Sequence, residues 1–177
     1  MEEKKLTGYP SIDKPWLKYY SEEAIHAPLP ECTAYERIRR GNNGHPDDIA
    51  LIYFDRKITY RHLFDGIERA AKAFAALGIA QGDIVILCVV NMPEAVYALY
   101  ALDRLGAVAN LIDPRTNAEQ LRNYINECDA KLVVTVDLAY SIIQQASNET
   151  TVERIITISP ADSLPPVKRI AYLLKNK

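Results

Sequence analysis

The residues that could act as acids, bases or zinc ligands are widely spaced in this sequence. Its three histidines are His26, His45 and His62, and none belongs to a His-Glu-x-x-His zinc motif. The sequence also lacks the Gly-x-Ser-x-Gly turn that presents a nucleophilic serine in many hydrolases. A histidine without a nearby catalytic partner commonly lies at the surface or caps a helix, and we interpret all three histidines in that way.

The three cysteines favour a reducing compartment over a disulfide framework or a metal site. Cys32, Cys88 and Cys128 are far apart, their number is odd, and no Cys-x-x-Cys pair occurs. Reduced and mostly buried thiols are typical of this pattern, whereas a zinc site needs closer ligand spacing. The residues after Met1 do not form a secretory signal, so we predict a cytoplasmic protein without metal ligands in this chain.

A few polar residues lie where a parallel sheet would bind a ligand. Asn91 and Asp113 each follow an apolar run, and ligands of open parallel sheets bind beyond the carboxyl ends of the strands. Asp83, Asp103 and Asp113 are the carboxylates that could form a pair. Because Asp83 and Asp113 fall at predicted loop edges, where aspartate commonly forms turns and caps, we assign no catalytic, cofactor-binding or metal-binding residue.

The elements that would position these side chains begin with a short helix and a hairpin. We predict a helix over Thr33 to Arg40, ended by a glycine-containing turn that lacks the lysine and preceding strand of a phosphate-binding loop. Two β-prone runs at 50–54 and 57–60, separated by Asp55-Arg56, predict a hairpin. Helical spacing of apolar residues then predicts a buried helix face ending near Gly78.

From residue 84 onward, apolar strands and helical segments alternate. The predicted strands are 84–90, 107–112, 131–136 and 154–158. Asn91 is predicted to cap the first intervening helix, a capping box at 116–119 the second, and Asp137 the third. This alternation predicts an α/β fold with a largely parallel sheet of βαβ units flanked by helices, preceded by an N-terminal arm and a hairpin.

Composition suggests three segments. Residues 1–32 are rich in aromatic residues and proline, and we interpret them as an extended arm that packs its aromatic side chains on a body. Residues 33–158 form the α/β body. Residues 159–177 contain a basic amphipathic helix, which we interpret as a connector in preference to a peripheral membrane contact. The net charge of −2 provides no basic field for nucleic acid.

Three motifs, in order, resemble a known family. They are Ile58-Thr59-Tyr60-Arg61-His62-Leu63, Leu77-Gly78-Ile79-Ala80-Gln81-Gly82-Asp83-Ile84-Val85, and Gly106 through Pro114. Together they resemble the N-terminal subdomain of the AMP-forming acyl-adenylate synthetases, the superfamily of acyl-CoA synthetases. His62 replaces the family's usual glutamate, and Leu111 stands where many members have proline.

The resemblance implies a parent enzyme that activates a carboxylate with ATP and Mg²⁺ and transfers it to coenzyme A. The aromatic arm is similar to that of members acting on fatty or related acids. The phosphate-binding Ser/Thr/Gly loop with its lysine does not occur in this sequence. We therefore expect a fragment that is inactive alone, exposes apolar surface where the remainder of the enzyme packs, and self-associates. The alternatives are an adenylation domain of a peptide synthetase and a non-catalytic interaction module.

Overall fold

The computed structural model describes residues 6–175 of the chain. Two predictions, the lack of a signal segment at residues 1–5 and the basic Lys177, lie outside the described residues. The chain divides into two compact units, Met1–Cys32 and Thr33–Lys177.

The first unit contains short helices rather than the predicted extended arm. It consists of helix α1 (Pro10–Asp13), a 3-10 turn (Pro15–Tyr19) and helix α2 (Glu22–His26). Proline begins the first two elements, where its missing N–H does no harm, and the Ser21 side chain caps α2. The prediction of an extended arm is wrong because Pro10 and Pro15 each begin a helical turn, so richness in proline did not imply an extended backbone here.

The second unit contains the α/β body. Its elements, in chain order, are α3 (Ala34–Asn42), β1 (Ile49–Tyr53), β2 (Arg56–Thr59), α4 (Tyr60–Ala76), β3 (Ile84–Cys88), α5 (Pro93–Leu105), β4 (Val108–Ile112), α6 (Ala118–Cys128), β5 (Leu132–Val136), α7 (Tyr140–Ser147), β6 (Arg154–Ile158) and α8 (Pro166–Lys175).

The predicted α/β fold is confirmed. Strands β3 to β6 form a parallel sheet in the order β4-β3-β5-β6, and β1 pairs with β2 in a separate antiparallel hairpin. In the register of the central pair, Val85 lies opposite Leu132. Successive parallel strands are joined through helices, as βαβ units require.

The sheet is buried because helices cover both of its faces. Val85 and Leu87 of β3 point into one core, where Ile67 of α4 and Leu102 of α5 pack against them. The intervening Ile86 faces a second core with residues of α6 and α7 such as Leu121 and Ile143. The alternation of side chains along one strand thus explains why its sequence is apolar at every position.

The helix boundaries depend on local caps, and several predictions needed correction here. The Thr59 side chain caps α4. Met92 rather than Asn91 precedes α5, because Pro93 itself begins the helix without a side-chain cap. Asn117 alone caps α6 in place of the predicted four-residue box. Asp137 begins a 3-10 turn (Asp137–Ala139) before α7 and does not cap that helix directly.

Candidate functional site

The carboxyl ends of β3, β4 and β5 open onto a cleft of about 840 Å³. Asn91 and Asp113, the two residues that follow predicted strands, both line it. Both residues therefore lie at the edge of the sheet where the carboxyl ends of its parallel strands meet. The remaining lining is mostly apolar and includes Val90, Leu111 and Leu138.

Asp113 is already engaged by a neighbouring cation. Its Oδ1 accepts from the Arg115 backbone N–H at 2.9 Å, and its Oδ2 lies 2.5 Å from Arg115 Nη2. Hydrogen bonds from the Arg115 side chain and backbone lower the pKa of Asp113 to about 2. The carboxylate is therefore ionised and held in a local turn, which suits a structural role better than that of a general base.

A second, apolar pocket of about 310 Å³ adjoins the cleft between the hairpin and α5. The two cavities share Val89, Val90, Asn91 and Leu111. Ile52, Val90, Leu111 and Leu138, all of which are exposed, line one or both cavities, and we call these four residues the apolar edge. Leu111, which is exposed, lines both cavities.

Sequence reasoning missed a polar cluster at the same end of the sheet. The Asp137 carboxylate accepts a hydrogen bond from Ser159 Oγ at 2.5 Å and another from Tyr172 OH at 3.0 Å. Burial raises the pKa of Tyr172, and its hydrogen bond to Asp137 raises it further. These contacts tie the loop after β6 and helix α8 to the end of β5. The residues that form these contacts are 22 and 35 positions apart in the sequence, so motif spacing could not predict them.

Glu94 in the first turn of α5 is a second feature that was missed. Its Oε1 accepts a hydrogen bond from the buried Ser163, and its Oε2 is buried with no hydrogen-bond partner among the described residues. Burial is the main cause of the raised pKa of Glu94. The pKa values of Tyr53 and Tyr97 are also raised, first by burial and second by the charge of Glu94.

The other carboxylates that were considered serve local structure. Asp83 Oδ2 accepts from the Ala80 backbone N–H at 2.8 Å within a turn. Asp103 Oδ2 accepts from the Tyr35 backbone N–H at 2.7 Å and so satisfies a donor in the first turn of α3. Neither lies in the cleft beside Asp113. The three predicted carboxylates are therefore dispersed.

The histidines and cysteines are dispersed as well. His26 lies 3.4 Å from Glu22, and His45 lies 3.3 Å from Asp48, both in exposed pairs. His62 Nδ1 lies 2.9 Å from the Thr59 hydroxyl at the start of α4. Burial raises the pKa of the Cys88 thiol to about 11, which keeps it protonated at neutral pH.

The cleft offers binding surface rather than reactive groups. In residues 6–175, no three His, Cys, Asp or Glu side chains are grouped so that they could hold a metal ion. The Asp113 carboxylate is paired with Arg115, so it is not free to coordinate a magnesium–nucleotide complex without breaking that pair. What the geometry provides is an apolar concave surface at the end of a parallel sheet, flanked by one ion pair.

Comparison with known proteins identifies the family. The model of the AMP-binding enzyme family matches residues 38–174. A long-chain-fatty-acid–CoA ligase of Bacillus subtilis is 25% identical over 165 residues, which cover 93% of this chain and 30% of the ligase. An acetyl-coenzyme A synthetase of Brucella canis is 34% identical over 127 residues, which cover 68% of this chain and 19% of the synthetase. The chain thus spans less than a third of either relative.

Solved structures show the same fold. A long-chain-fatty-acid-CoA ligase from Archaeoglobus fulgidus superposes with a TM-score of 0.69 at 20% identity, covering 76% of this chain and 30% of the ligase. The order of hairpin, helix and βαβ units is therefore shared, and the resemblance carried by the three motifs is confirmed. Since the family model matches most of its length, the chain belongs to the AMP-binding enzyme family.

Proposed function

We propose that the protein containing this chain is an AMP-forming acid–thiol ligase that acts on a fatty or related carboxylic acid. The observation that carries the proposal is the family match over residues 38–174, a stretch that includes the whole parallel sheet. In this proposal, ATP and coenzyme A are substrates, Mg²⁺ accompanies the nucleotide, and the protein works in the cytoplasm. The aromatic first unit and the Bacillus subtilis relative favour longer acids over acetate.

The role proposed for the chain is to supply part of the scaffold of the ligase. The apolar edge and its two cavities lie beyond the carboxyl ends of the strands, where α/β folds bind ligands. An apolar surface at this place suits an acyl chain or an adjoining part of the ligase. The remainder of the ligase is then the partner that completes the cleft and brings the groups that hold phosphate.

The 177-residue chain is proposed to be inactive by itself. Adenylate formation needs donors that stabilise negative charge on phosphate oxygens, and no glycine-rich loop with a lysine occurs in the sequence. Arg115, the cation at the cleft, is paired with Asp113. Steering a phosphate with Arg115 would therefore require breaking that pair.

The test measures AMP and pyrophosphate formed by the protein expressed from its complete reading frame. Acetate, short- to long-chain fatty acids and amino acids are supplied in turn with ATP, Mg²⁺ and coenzyme A. We expect product formation that depends on a fatty or related acid. Absence of acid-dependent AMP would contradict the ligase, and dependence on an amino acid without coenzyme A would favour a peptide synthetase. Acid-dependent pyrophosphate release by the 177-residue chain alone would contradict its proposed inactivity.

A further inference from the structure

Helix α8 is docked on the body with its polar side inward. Lys168 Nζ lies 2.9 Å from Asp55 Oδ2 in the hairpin turn and 5.4 Å from the centre of the Phe54 ring. One turn further along, the Tyr172 hydroxyl donates to Asp137 at 3.0 Å. Residues spaced by four lie on one face of a helix, so these two contacts define the face that meets the body.

The opposite side of α8 is apolar and faces outward. Val167 is 80% exposed, Ile170 is 60% exposed and Leu174 is 68% exposed. Their spacing of three and four residues makes a continuous stripe on the helix. An amphipathic helix in a soluble body normally buries this stripe, so the orientation of α8 is inverted relative to the usual arrangement.

The hairpin turn extends the same apolar surface. Phe54, which is itself exposed, lines one cleft of about 870 Å³ together with Val167 and Ile170. Its φ of +47° lies in the left-handed region, which is unfavourable for a bulky side chain and favours asparagine or glycine in a two-residue turn. The sequence therefore keeps an exposed aromatic ring at a position where the backbone favours another residue. We call Phe54, Val167, Ile170 and Leu174 the outer stripe.

The charged residues of helix α8 are all basic, and the acidic residues lining the adjoining cleft are Asp55, which pairs with Lys168, and Asp162. Helix α8 carries Lys168, Arg169 and Lys175 and has no acidic residue. Arg169 and Lys175 are exposed, and neither forms a salt bridge within residues 6–175 of the structure. An apolar stripe flanked by cations complements a surface that combines hydrocarbon with negative charge.

A second copy of the chain fits this surface poorly. The helix has ten residues, so it is only about 15 Å long, and its face is well below the ~800 Å² per partner of a stable dimer. Pairing two copies would also bring cations against cations with no acidic partner on either helix. A lipid surface has no such size requirement, because its affinity grows with each inserted apolar side chain and each nearby cation.

We propose that the outer stripe docks on an anionic lipid surface, with the apolar side chains inserted among the acyl chains and Arg169 and Lys175 at the phosphates. The proposal does not depend on the proposed ligase activity. In residues 6–175, no helix is long and apolar enough to cross a membrane, so the contact would be peripheral.

The test uses the protein from its complete reading frame and vesicles of phosphatidylcholine with or without phosphatidylglycerol, separated by flotation. We expect binding to the anionic vesicles that weakens at high salt, with much weaker binding to neutral vesicles. Changing Ile170→Gln and Leu174→Gln together should lower the partition coefficient at least tenfold. The matched control changes Tyr124→Gln and Tyr140→Gln, which are exposed on α6 and α7, and should leave binding unchanged.

Two further variants separate lipid contact from folding. Phe54→Asn suits the left-handed backbone, so stability to urea should be kept or raised while vesicle binding falls severalfold. Reversing Arg169→Glu and Lys175→Glu should abolish the preference for anionic vesicles, whereas Lys131→Glu, an exposed cation distant in sequence, should not.

Several results would overturn the proposal. Equal binding to anionic vesicles by the Ile170→Gln, Leu174→Gln variant and by the parent protein would overturn it. Absence of binding of the parent protein to anionic vesicles at low salt would also overturn it. A concentration-dependent dimer that the Ile170→Gln and Leu174→Gln changes abolish, again without vesicle binding, would assign the stripe to a second copy.

Discussion

Glu94 links the charge of one side chain to the packing of a distant loop. Its carboxylate accepts from Ser163, which is 69 residues later in the chain, and its other oxygen is buried without a partner among residues 6–175. Burial raises the pKa of Glu94 above its ordinary value of 4.5. The folded protein therefore favours the neutral acid form of Glu94. Its contribution to the free energy of unfolding is fully present at low pH and is lost as the pH rises through the raised pKa, because the buried carboxylate must then carry a charge.

We expect Glu94→Gln to remove this loss. The amide stays neutral, so at pH 8 the variant should match or exceed the parent in free energy of unfolding, by about 1 kcal/mol. At pH 4 the difference should become small, because the parent is then neutral as well. Urea unfolding at a series of pH values measures this. Glu127→Gln, at an exposed position of α6, is the control and should show no such trend. A parent that gains stability over the variant as the pH rises would contradict the prediction.

The close approach of two helices is the main feature at the level of elements. A Cβ added at Gly66 in α4 would lie 3.0 Å from the ring of Tyr97 in α5. Such a contact is tighter than side chains normally tolerate, so the glycine lets the two helices pack. Gly41 in α3 has nothing within 4 Å of the same added atom and gives a natural comparison.

We expect the two glycine substitutions to have opposite signs. Gly66→Ala should destabilise the fold by about 1–2 kcal/mol, because crowding against Tyr97 outweighs the better helix propensity of alanine. Gly41→Ala should stabilise it by about 0.5 kcal/mol, because only the propensity changes. Urea unfolding of both variants decides the matter. Stabilisation by Gly66→Ala would show that Tyr97 moves aside at little cost.

The anchoring of α8 leads to a second prediction for an element. Tyr172→Phe removes the hydroxyl that donates to Asp137, so α8 should open more often, with amide exchange about fivefold faster in that helix. Exchange in the central strand β3 should not change. Tyr140→Phe on α7 is the matched control, because Tyr140 is exposed and its hydroxyl forms no hydrogen bond within residues 6–175 of the structure. Unchanged exchange in α8 would mean that Lys168 and packing alone hold the helix.

For the whole molecule, the apolar edge is the feature with the widest consequence. Its four residues are exposed at the carboxyl end of the sheet, and contiguous apolar surface of this kind drives association. We expect the isolated 177-residue chain to self-associate through this edge. Leu111→Asn should weaken association at least tenfold in sedimentation velocity, whereas Tyr124→Gln should not. A chain that stays monomeric at all concentrations would contradict this prediction.

The type and order of the elements in the second unit follow from the amino-acid sequence. Apolar runs such as Ile84 through Cys88 need cover on two faces, and the helical segments between them are long enough to provide it. Three motifs on those elements were sufficient to identify the family. The sequence also placed Asn91 and Asp113 at one edge, because carboxyl ends of parallel strands meet there.

Tertiary structure alone decided which distant residues meet and which way the last helix faces. Periodicity showed that α8 is amphipathic, but the side that meets the body is set by Lys168 and Tyr172 finding Asp55 and Asp137, 113 and 35 residues away. Ser163 reaches Glu94 for the same reason. The spacing of residues along the chain shows which of them share one face of an element. Contacts between elements depend on how all the elements pack together, and no local sequence pattern predicts that packing.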